Sequence, residues 1–368
     1  MDGERRVTVL VAFTGDGGVE TMVTNLVRAW LDDGVQVDVL LIKARGGHVA
    51  RLPSEARVFY LNATTSLTAL PAVVSYLRRY RPVAMLAAKD RAGRLAILAR
   101  WIAGVPTRVV IRLGMHLSGS LAQKSRLRRW SRWLPARWLY PYADGFIAVS
   151  DEVADDISEH AGLDRERFGV IPNPAVPPDV AVRQAAPVRH DWLSADAPLP
   201  VVLACGRLAP QKDFVTLLSA FAAVRERLQA RLIILGEGPE RARLAGLRSK
   251  LGLDPCVDFP GFVDDVLPWM ARADVFVLSS AYEGSPNVLV EAMACGVPVV
   301  ATDCPSGPAR ILRGGLLGPL VPVGDAERLA SAICSTLAEP VPAATLIDAV
   351  SDYRTVTSAR QYLAFLGC

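Results

Sequence analysis

The chain is poor in the side chains that hold metals or staple small folds. Its 368 residues include six cysteines and four histidines. No two cysteines make a CxxC pair, which argues against a zinc site. Cys205, Cys256, Cys295, Cys304, Cys334 and Cys368 lie at irregular spacing in the second half. That predicts free thiols in a reducing compartment, not a disulfide framework. Long apolar runs are also missing. The longest candidate, Leu95 to Ile111, is broken by Arg100 and Arg108, so no bilayer span is expected. The charged start, Met1 to Arg6, leads straight into the apolar run Val7–Phe13, without a signal-peptide pattern. The expectation is a cytoplasmic protein, one still able to sit on a membrane surface. Carboxylates are absent from one whole stretch. Between Asp90 and Asp144 there is no Asp or Glu, against eleven Lys and Arg. With a total charge of only +4, the charge is segregated along the chain.

Two glycine signatures are incomplete. Thr14-Gly15-Asp16-Gly17-Gly18-Val19-Glu20 follows the first apolar run. The third glycine of a dinucleotide fingerprint falls on Glu20, and no Gly-Lys-Ser/Thr follows for a phosphate loop. A dehydrogenase or a P-loop enzyme is therefore disfavoured.

What is present alternates. Short apolar runs at Val7–Phe13, Val35–Ile42, Val83–Ala88, Arg108–Arg112 and Gly145–Val149 read as strands. Amphipathic stretches at Val19–Leu31, Leu70–Tyr80, Arg94–Ala103 and Asp151–His160 read as helices between them. Alternation of this kind predicts parallel strands with crossover helices, a doubly wound α/β sheet. Prolines at 172, 174, 177 and 178, then the aperiodic stretch Ala181–Pro200, mark a linker. The same grammar restarts beyond it. Strands are expected at Val201–Cys205, Arg231–Leu235, Val257–Phe259, Val275–Ser279 and Val297–Ala301. Helices are expected at Phe214–Leu228, Arg241–Lys250, Asp265–Arg272 and Pro286–Ala294, with a last one at Thr357–Leu366. The expectation is two Rossmann-like domains, residues 1–178 and 179–352, facing each other across a cleft, with the helix in 353–368 able to pack back on the first. Ligands of open α/β sheets bind at the carboxyl ends of the strands.

Two clusters fall at such ends. Tyr282-Glu283-Gly284-Ser285-Pro286-Asn287-Val288-Leu289-Val290-Glu291 follows a strand directly. Pro286 suits the first position of a helix. Amides of Asn287, Val288 and Leu289 would then point out of the helix start and make an anion site fit for a diphosphate. Glu283 can accept bonds from sugar hydroxyls, and Glu291 can hold a ribose diol. The second cluster is Gly206-Arg207-Leu208 with Gln211-Lys212-Asp213. Arg207 and Lys212 can clamp a leaving diphosphate, the one through its fork and the other as a point charge. Taken singly, such glutamates are ordinary helix-start residues and such a basic pair is solvated surface.

Glu283 and Glu291 at this spacing, the Gly-Ser-Pro turn and Gly296-Val297-Pro298-Val299-Val300-Ala301-Thr302 resemble the paired-glutamate signature of retaining GT-B enzymes in glycosyltransferase family 4. The resemblance is specific over Val201–Thr302 and generic before it. It implies transfer of a sugar from a nucleotide-sugar donor, by habit of the family a UDP-sugar, to a saccharide or lipid-linked acceptor, with retention and without a metal. It implies phosphate contacts for Arg207 and Lys212, backbone approach to the nucleotide at Gly238 and Val263, a donor-side glycine loop at Gly17 and Gly18, and a sugar contact for His116. Ser150 and Asn173 match positions near the cleft in relatives. Relatives tend to carry Glu where this chain has Arg310, which leaves the donor open. Two other functions fit the scaffold: a nucleotide-sugar epimerase, and a non-catalytic protein binding nucleotide-sugar or membrane.

Leu121 to Tyr140 sets Leu127, Trp130, Leu134 and Trp138 at helical spacing among arginines. That pattern suits an interfacial helix on an anionic membrane. It equally suits an amphipathic helix whose aromatics pack on the first domain. No nucleic-acid module accompanies the charge.

Overall fold

The computed structural model of the chain describes residues 6–14, 18–45, 47–114, 134–194, 196–305 and 307–368. The chain forms two compact units, Met1–Pro174 with Tyr353–Cys368, and Ala175–Asp352.

The first unit is built on a seven-stranded parallel sheet in the order β3-β2-β1-β4-β5-β6-β7. The strands are β1 (Arg6–Thr14), β2 (Gln36–Arg45), β3 (Arg57–Tyr60), β4 (Ala84–Ala87), β5 (Arg108–Leu113), β6 (Gly145–Ala148) and β7 (Phe168–Val170). Central strands are apolar on both faces because helices cover both. Leu10, Leu40, Met85, Val109 and Phe146 face the helices Leu70–Tyr80, Asp90–Ala103 and Asp151–Ala161. Their neighbours Val9, Val39, Leu86, Val110 and Ile147 face Gly18–Asp32 and the last helix, Thr355–Leu366.

That last helix is fixed to the first unit by three kinds of contact. Trp30 Nε1 donates to the Ala359 carbonyl at 3.0 Å. Tyr362 and Leu366 are buried. The Phe365 ring lies against Gly145 and Gly169, where a Cβ would come within 2.9 and 2.8 Å of ring carbons.

The second unit carries a six-stranded parallel sheet, order β10-β9-β8-β11-β12-β13. These are β8 (Val201–Cys205), β9 (Arg231–Leu235), β10 (Val257–Gly261), β11 (Val275–Leu278), β12 (Val299–Thr302) and β13 (Leu320–Val321). The strand order reverses between β8 and β11, so loops leaving these two strands diverge and open a crevice at their carboxyl ends. Val202, Ala204, Leu232, Ile234 and Val277 pack under the helices Phe214–Arg227 and Ala326–Ala338.

Two doubly wound parallel sheets are as the alternation predicts. The short strands β3, β7 and β13 show no periodic signal at their lengths. The helix Asp90–Ala103 starts four residues before its apolar pattern. All six cysteines are free. Among the described residues no single helix is long and apolar enough to cross a membrane.

Gly169→Val would force its side chain into the Phe365 ring and loosen the last helix, a loss of about 1–3 kcal/mol. It should lower the urea midpoint. Gly246→Ala, on a helix with nothing within 4 Å of the added carbon, should raise it slightly. A midpoint unchanged in the first variant would disprove the docking role of Gly169.

Candidate active site in the second unit

The crevice between β8 and β11 gathers the two clusters found in the sequence. β8 ends at Cys205 and runs into Gly206 and Arg207. Gly206 N–H donates to the Leu235 carbonyl at 3.0 Å and Leu208 N–H to the Glu237 carbonyl at 3.0 Å, which ties this loop to the one after β9. The approach demands glycine. A Cβ on Gly206 would lie 2.8 Å from Lys212 Cε, and one on Gly236 would lie 2.0 Å from the Gly206 carbonyl oxygen.

Lys212 is folded over Gly206 by this packing. Its neighbour Asp213 takes a left-handed conformation, φ 45°, and caps the helix Phe214–Arg227 by accepting from Thr216 N–H at 3.3 Å and Thr216 Oγ1 at 2.6 Å. The turn points Lys212 Nζ at Glu283 Oε1, 2.6 Å away. Ser280 Oγ donates to the same oxygen at 2.7 Å. Ser280 is held in turn: Thr302 Oγ1 donates to its carbonyl at 2.6 Å. Two further bonds join the loops. Ser279 Oγ donates to the Lys212 carbonyl at 2.7 Å, and Ala281 N–H to the Gln211 carbonyl at 2.8 Å. The ion pair is largely buried, with side-chain exposures of 15% and 9%. Removing one member of such a pair strands the other charge.

Arg207 differs. It is exposed beside this pair, and among the described residues no carboxylate pairs with it. A guanidinium held at the rim remains available for an anion.

Beyond Glu283 the chain turns through Gly284 and Ser285 into the helix Asn287–Ala294. Here one expectation is corrected. Pro286 is the residue before the helix, at φ −74° and ψ 92°, and not its first member. The Leu289 N–H is also turned inward, donating to the Pro286 carbonyl at 3.0 Å. That takes the Leu289 amide out of the expected anion site; Asn287 and Val288 stand at the helix start, both half-buried. Gly307 packs behind the turn, where a Cβ would come 2.7 Å from Pro286 Cδ.

Glu291 lies one turn on. Burial pushes its carboxyl up to about 7; Arg183 and Lys212 draw it down and Asp265 adds to the rise. Sequence reasoning missed Arg183, which sits in the aperiodic stretch after the prolines, and Asp265, which it read only as the first residue of a helix. Arg183 grips Asp265 with two bonds of 2.9 Å, from Nε and Nη2. Burial also raises the thiols of Cys205, Cys295 and Cys304 to about 12, so the cysteines around the crevice offer no thiolate.

The weaker signals fall near by. Gly238 lies against the Leu208 carbonyl, 2.3 Å from where its Cβ would stand. Val263 follows β10 and is half-buried. Gly18 opens the helix Gly18–Asp32 in the first unit, where Glu20 is buried and accepts from Lys89 Nζ at 2.9 Å. Gly17 and His116 lie outside the described residues. Arg310 is exposed on the short helix Pro308–Ile311.

The Glu291 carboxyl carries a pH signature. In the unfolded chain it ionises near 4.5, so the native protein keeps a proton that unfolding releases. Stability should fall as pH rises from about 4.5 to 7. Glu291→Gln is expected to raise the melting temperature at pH 8 and to change it little at pH 4. Identical melting of variant and wild type at pH 8 would count against a buried, destabilised carboxylate.

Comparison with known proteins bears on the family and the fold. Residues 199–339 match the family model of glycosyl transferases group 1, and residues 17–174 that of the glycosyl transferase 4-like domain. The lipopolysaccharide core biosynthesis glycosyltransferase LpsE of Rhizobium meliloti is 32% identical over 332 residues, covering 89% of this chain and 87% of that protein. The N-acetylgalactosamine-N,N'-diacetylbacillosaminyl-diphospho-undecaprenol 4-alpha-N-acetylgalactosaminyltransferase of Campylobacter jejuni is 33% identical over 185 residues, 50% of this chain and 48% of that one. Among solved structures, Anabaena Alr3699/HepE in complex with UDP and glucose superposes with a TM-score of 0.79 at 24% identity, over 99% of both chains. The apo lipopolysaccharide outer core galactosyltransferase WaaB gives 0.73 at 19%, over 98% of this chain and 99% of the other. The structural likenesses show the GT-B fold, and the match to LpsE along nearly its whole length shows that this chain belongs to the group 1 glycosyltransferases.

Proposed function

We propose that this glycosyltransferase is a retaining, metal-independent enzyme that takes its sugar from a UDP-sugar held in the second unit. The observation that carries the proposal is the Lys212–Glu283 pair, 2.6 Å apart, at the crevice where the strand order reverses. An ammonium has three donors. One goes to Glu283, which leaves two to meet the oxygens of a diphosphate lying over Gly206. Arg207 supplies a fork at the rim, and the start of the helix Asn287–Ala294 adds its dipole. These groups stabilise the charge that grows on the leaving phosphate as the C1–O bond breaks. Charge stabilisation by groups already in place accounts for much of the rate of such reactions. The acceptor hydroxyl attacks C1 on the face the phosphate leaves, and its proton passes to a phosphate oxygen. Glu283 holds hydroxyls of the transferred sugar and Glu291 the ribose. Gly238, Val263, Gly284, Ser285, Pro286, Asn287 and Val288 shape the donor pocket, with contacts from Gly17, Gly18 and His116 part of the same proposal.

Uridine is supported by the HepE structure, which holds UDP and glucose. The names of LpsE and of the undecaprenol-linked transferase point to cell-envelope saccharides. We take the acceptor to be a lipid-linked saccharide, reached from the membrane side with the help of residues 121–140. Of that segment's apolar stripe, Leu127 and Trp130 lie outside the described residues, whereas Leu134 and Trp138 are exposed, which favours an interface over internal packing.

The test is nucleotide release from UDP-, GDP- and ADP-sugars with envelope extract as acceptor and EDTA present. Release is expected from a UDP-sugar. Lys212→Ala should lower kcat/KM by about 10²–10³. Turnover near that of wild type in Lys212→Ala, or release only when a divalent metal is restored, would reject the mechanism.

A further inference from the structure

The first unit holds a charge imbalance wider than the acid-free stretch after Asp90. Residues 56–143 contain 16 Lys and Arg and a single acidic residue, Asp90. That is +15 in a chain whose total is +4, so the remaining 280 residues carry −11. Asp90 does not offset the surplus. It accepts from Tyr140 Oη at 2.7 Å and from Arg94 Nη2 at 2.7 Å.

In the described part of this stretch, Arg57, Arg94, Arg100 and Arg112 are engaged by Asp38, Asp90, Asp144 and Asn173, and exposed arginines remain on two neighbouring helices. The helices Leu70–Tyr80 and Asp90–Ala103 lie side by side on the first sheet and bury Val73, Leu77, Leu95 and Ile97 against it. Their outward sides expose Arg78, Arg79 and Arg91. An open groove runs between them, lined by Leu70, Val74, Arg78, Arg79 and Ile102. Arg78 Nη2 donates to the Ile102 carbonyl at 2.8 Å and links the two helices. At the groove's end Trp101 is 81% exposed and Ile102 49%. Tyr142, 66% exposed, stands next to them, its carbonyl held by Arg100.

An indole this exposed is costly in water and fits a boundary where one side is apolar and the other wet. Guanidiniums around it fit phosphates. The arginines are spread along helices of about 17 and 21 Å and do not converge on one point. A plane of anions meets such a layout better than a single acidic side chain does. We propose that the outer face of this helix pair is where the chain lies on an anionic phospholipid bilayer. Trp101 and Ile102 enter the headgroup region, and Arg78, Arg79 and Arg91 pair with lipid phosphates. This builds on the lipid-linked acceptor proposed above, and it places the contact on residues that the segment 121–140 does not contain.

The test uses the full chain and sedimentation with phosphatidylcholine vesicles, with and without phosphatidylglycerol. Wild type should partition onto the anionic vesicles only. Trp101→Ser with Ile102→Ser, and separately Arg79→Glu with Arg91→Glu, should each lower partitioning about tenfold or more. Melting temperature and UDP binding should stay at wild-type values, since these side chains are exposed. Wild-type partitioning in both double variants overturns the proposal. If Trp130→Ser with Trp133→Ser abolishes binding while both double variants retain it, the membrane role of 121–140 stands and this face is excluded. Failure of wild type to bind either vesicle overturns both, and nucleotide release then judges the donor chemistry alone.

Discussion

Lys212 and Glu283 are 71 residues apart in sequence and 2.6 Å apart in space. The loops around that pair are built to hold it. It requires β8 and β11 to be neighbours, because only then do their outgoing loops meet. It requires glycine at 206, because the lysine stem occupies the volume of a side chain there. It requires the left-handed turn at Asp213, which starts a helix and aims the lysine in one step. A buried ion pair is weak evidence of stability, since desolvation offsets much of the attraction. Its retention inside a network of Ser279, Ser280 and Thr302 bonds makes better sense as preorganisation of charge for a ligand.

Much of this was legible in the sequence, for identifiable reasons. Strands buried on both faces are continuous apolar runs, so Val201–Cys205 and Arg231–Leu235 could be read to the residue. The site clusters could be read because they combine rare elements, glycine turns and ionisable residues, right after such runs. What escaped was decided by distance. Thr302, 22 residues on, supports the site only because the sheet brings its hydroxyl to the Ser280 carbonyl. Arg183 and Asp265 become a unit only through the packing of two short helices that have no periodicity of their own. The helix start at Pro286 shifted by one residue because a proline can precede a helix as well as begin it, and only the backbone torsions choose.

The two sheets share one strand order over six strands, the first having a seventh at its edge, and the two units differ in charge. The second unit sets two of its cations, Arg207 and Lys212, at the crevice, and pairs others with carboxylates over its surface. The first leaves Arg78, Arg79 and Arg91 exposed on two neighbouring helices. The same residue type therefore serves recognition in one unit and, by our proposal, surface attraction in the other. Position relative to the carboxyl ends of the strands is what separates the two uses.

The return of the last helix to the first unit has a consequence for biosynthesis. The core on one side of the first sheet is completed by Ala359, Tyr362 and Leu366, which follow the whole second unit along the chain. The first unit to emerge therefore cannot close until the second has been made. During that interval Trp30 and the glycine floor at 145 and 169 stay uncovered. Folding of this chain should end where it began, and a nascent chain halted before residue 355 should be a substrate for chaperones even though its second unit is whole.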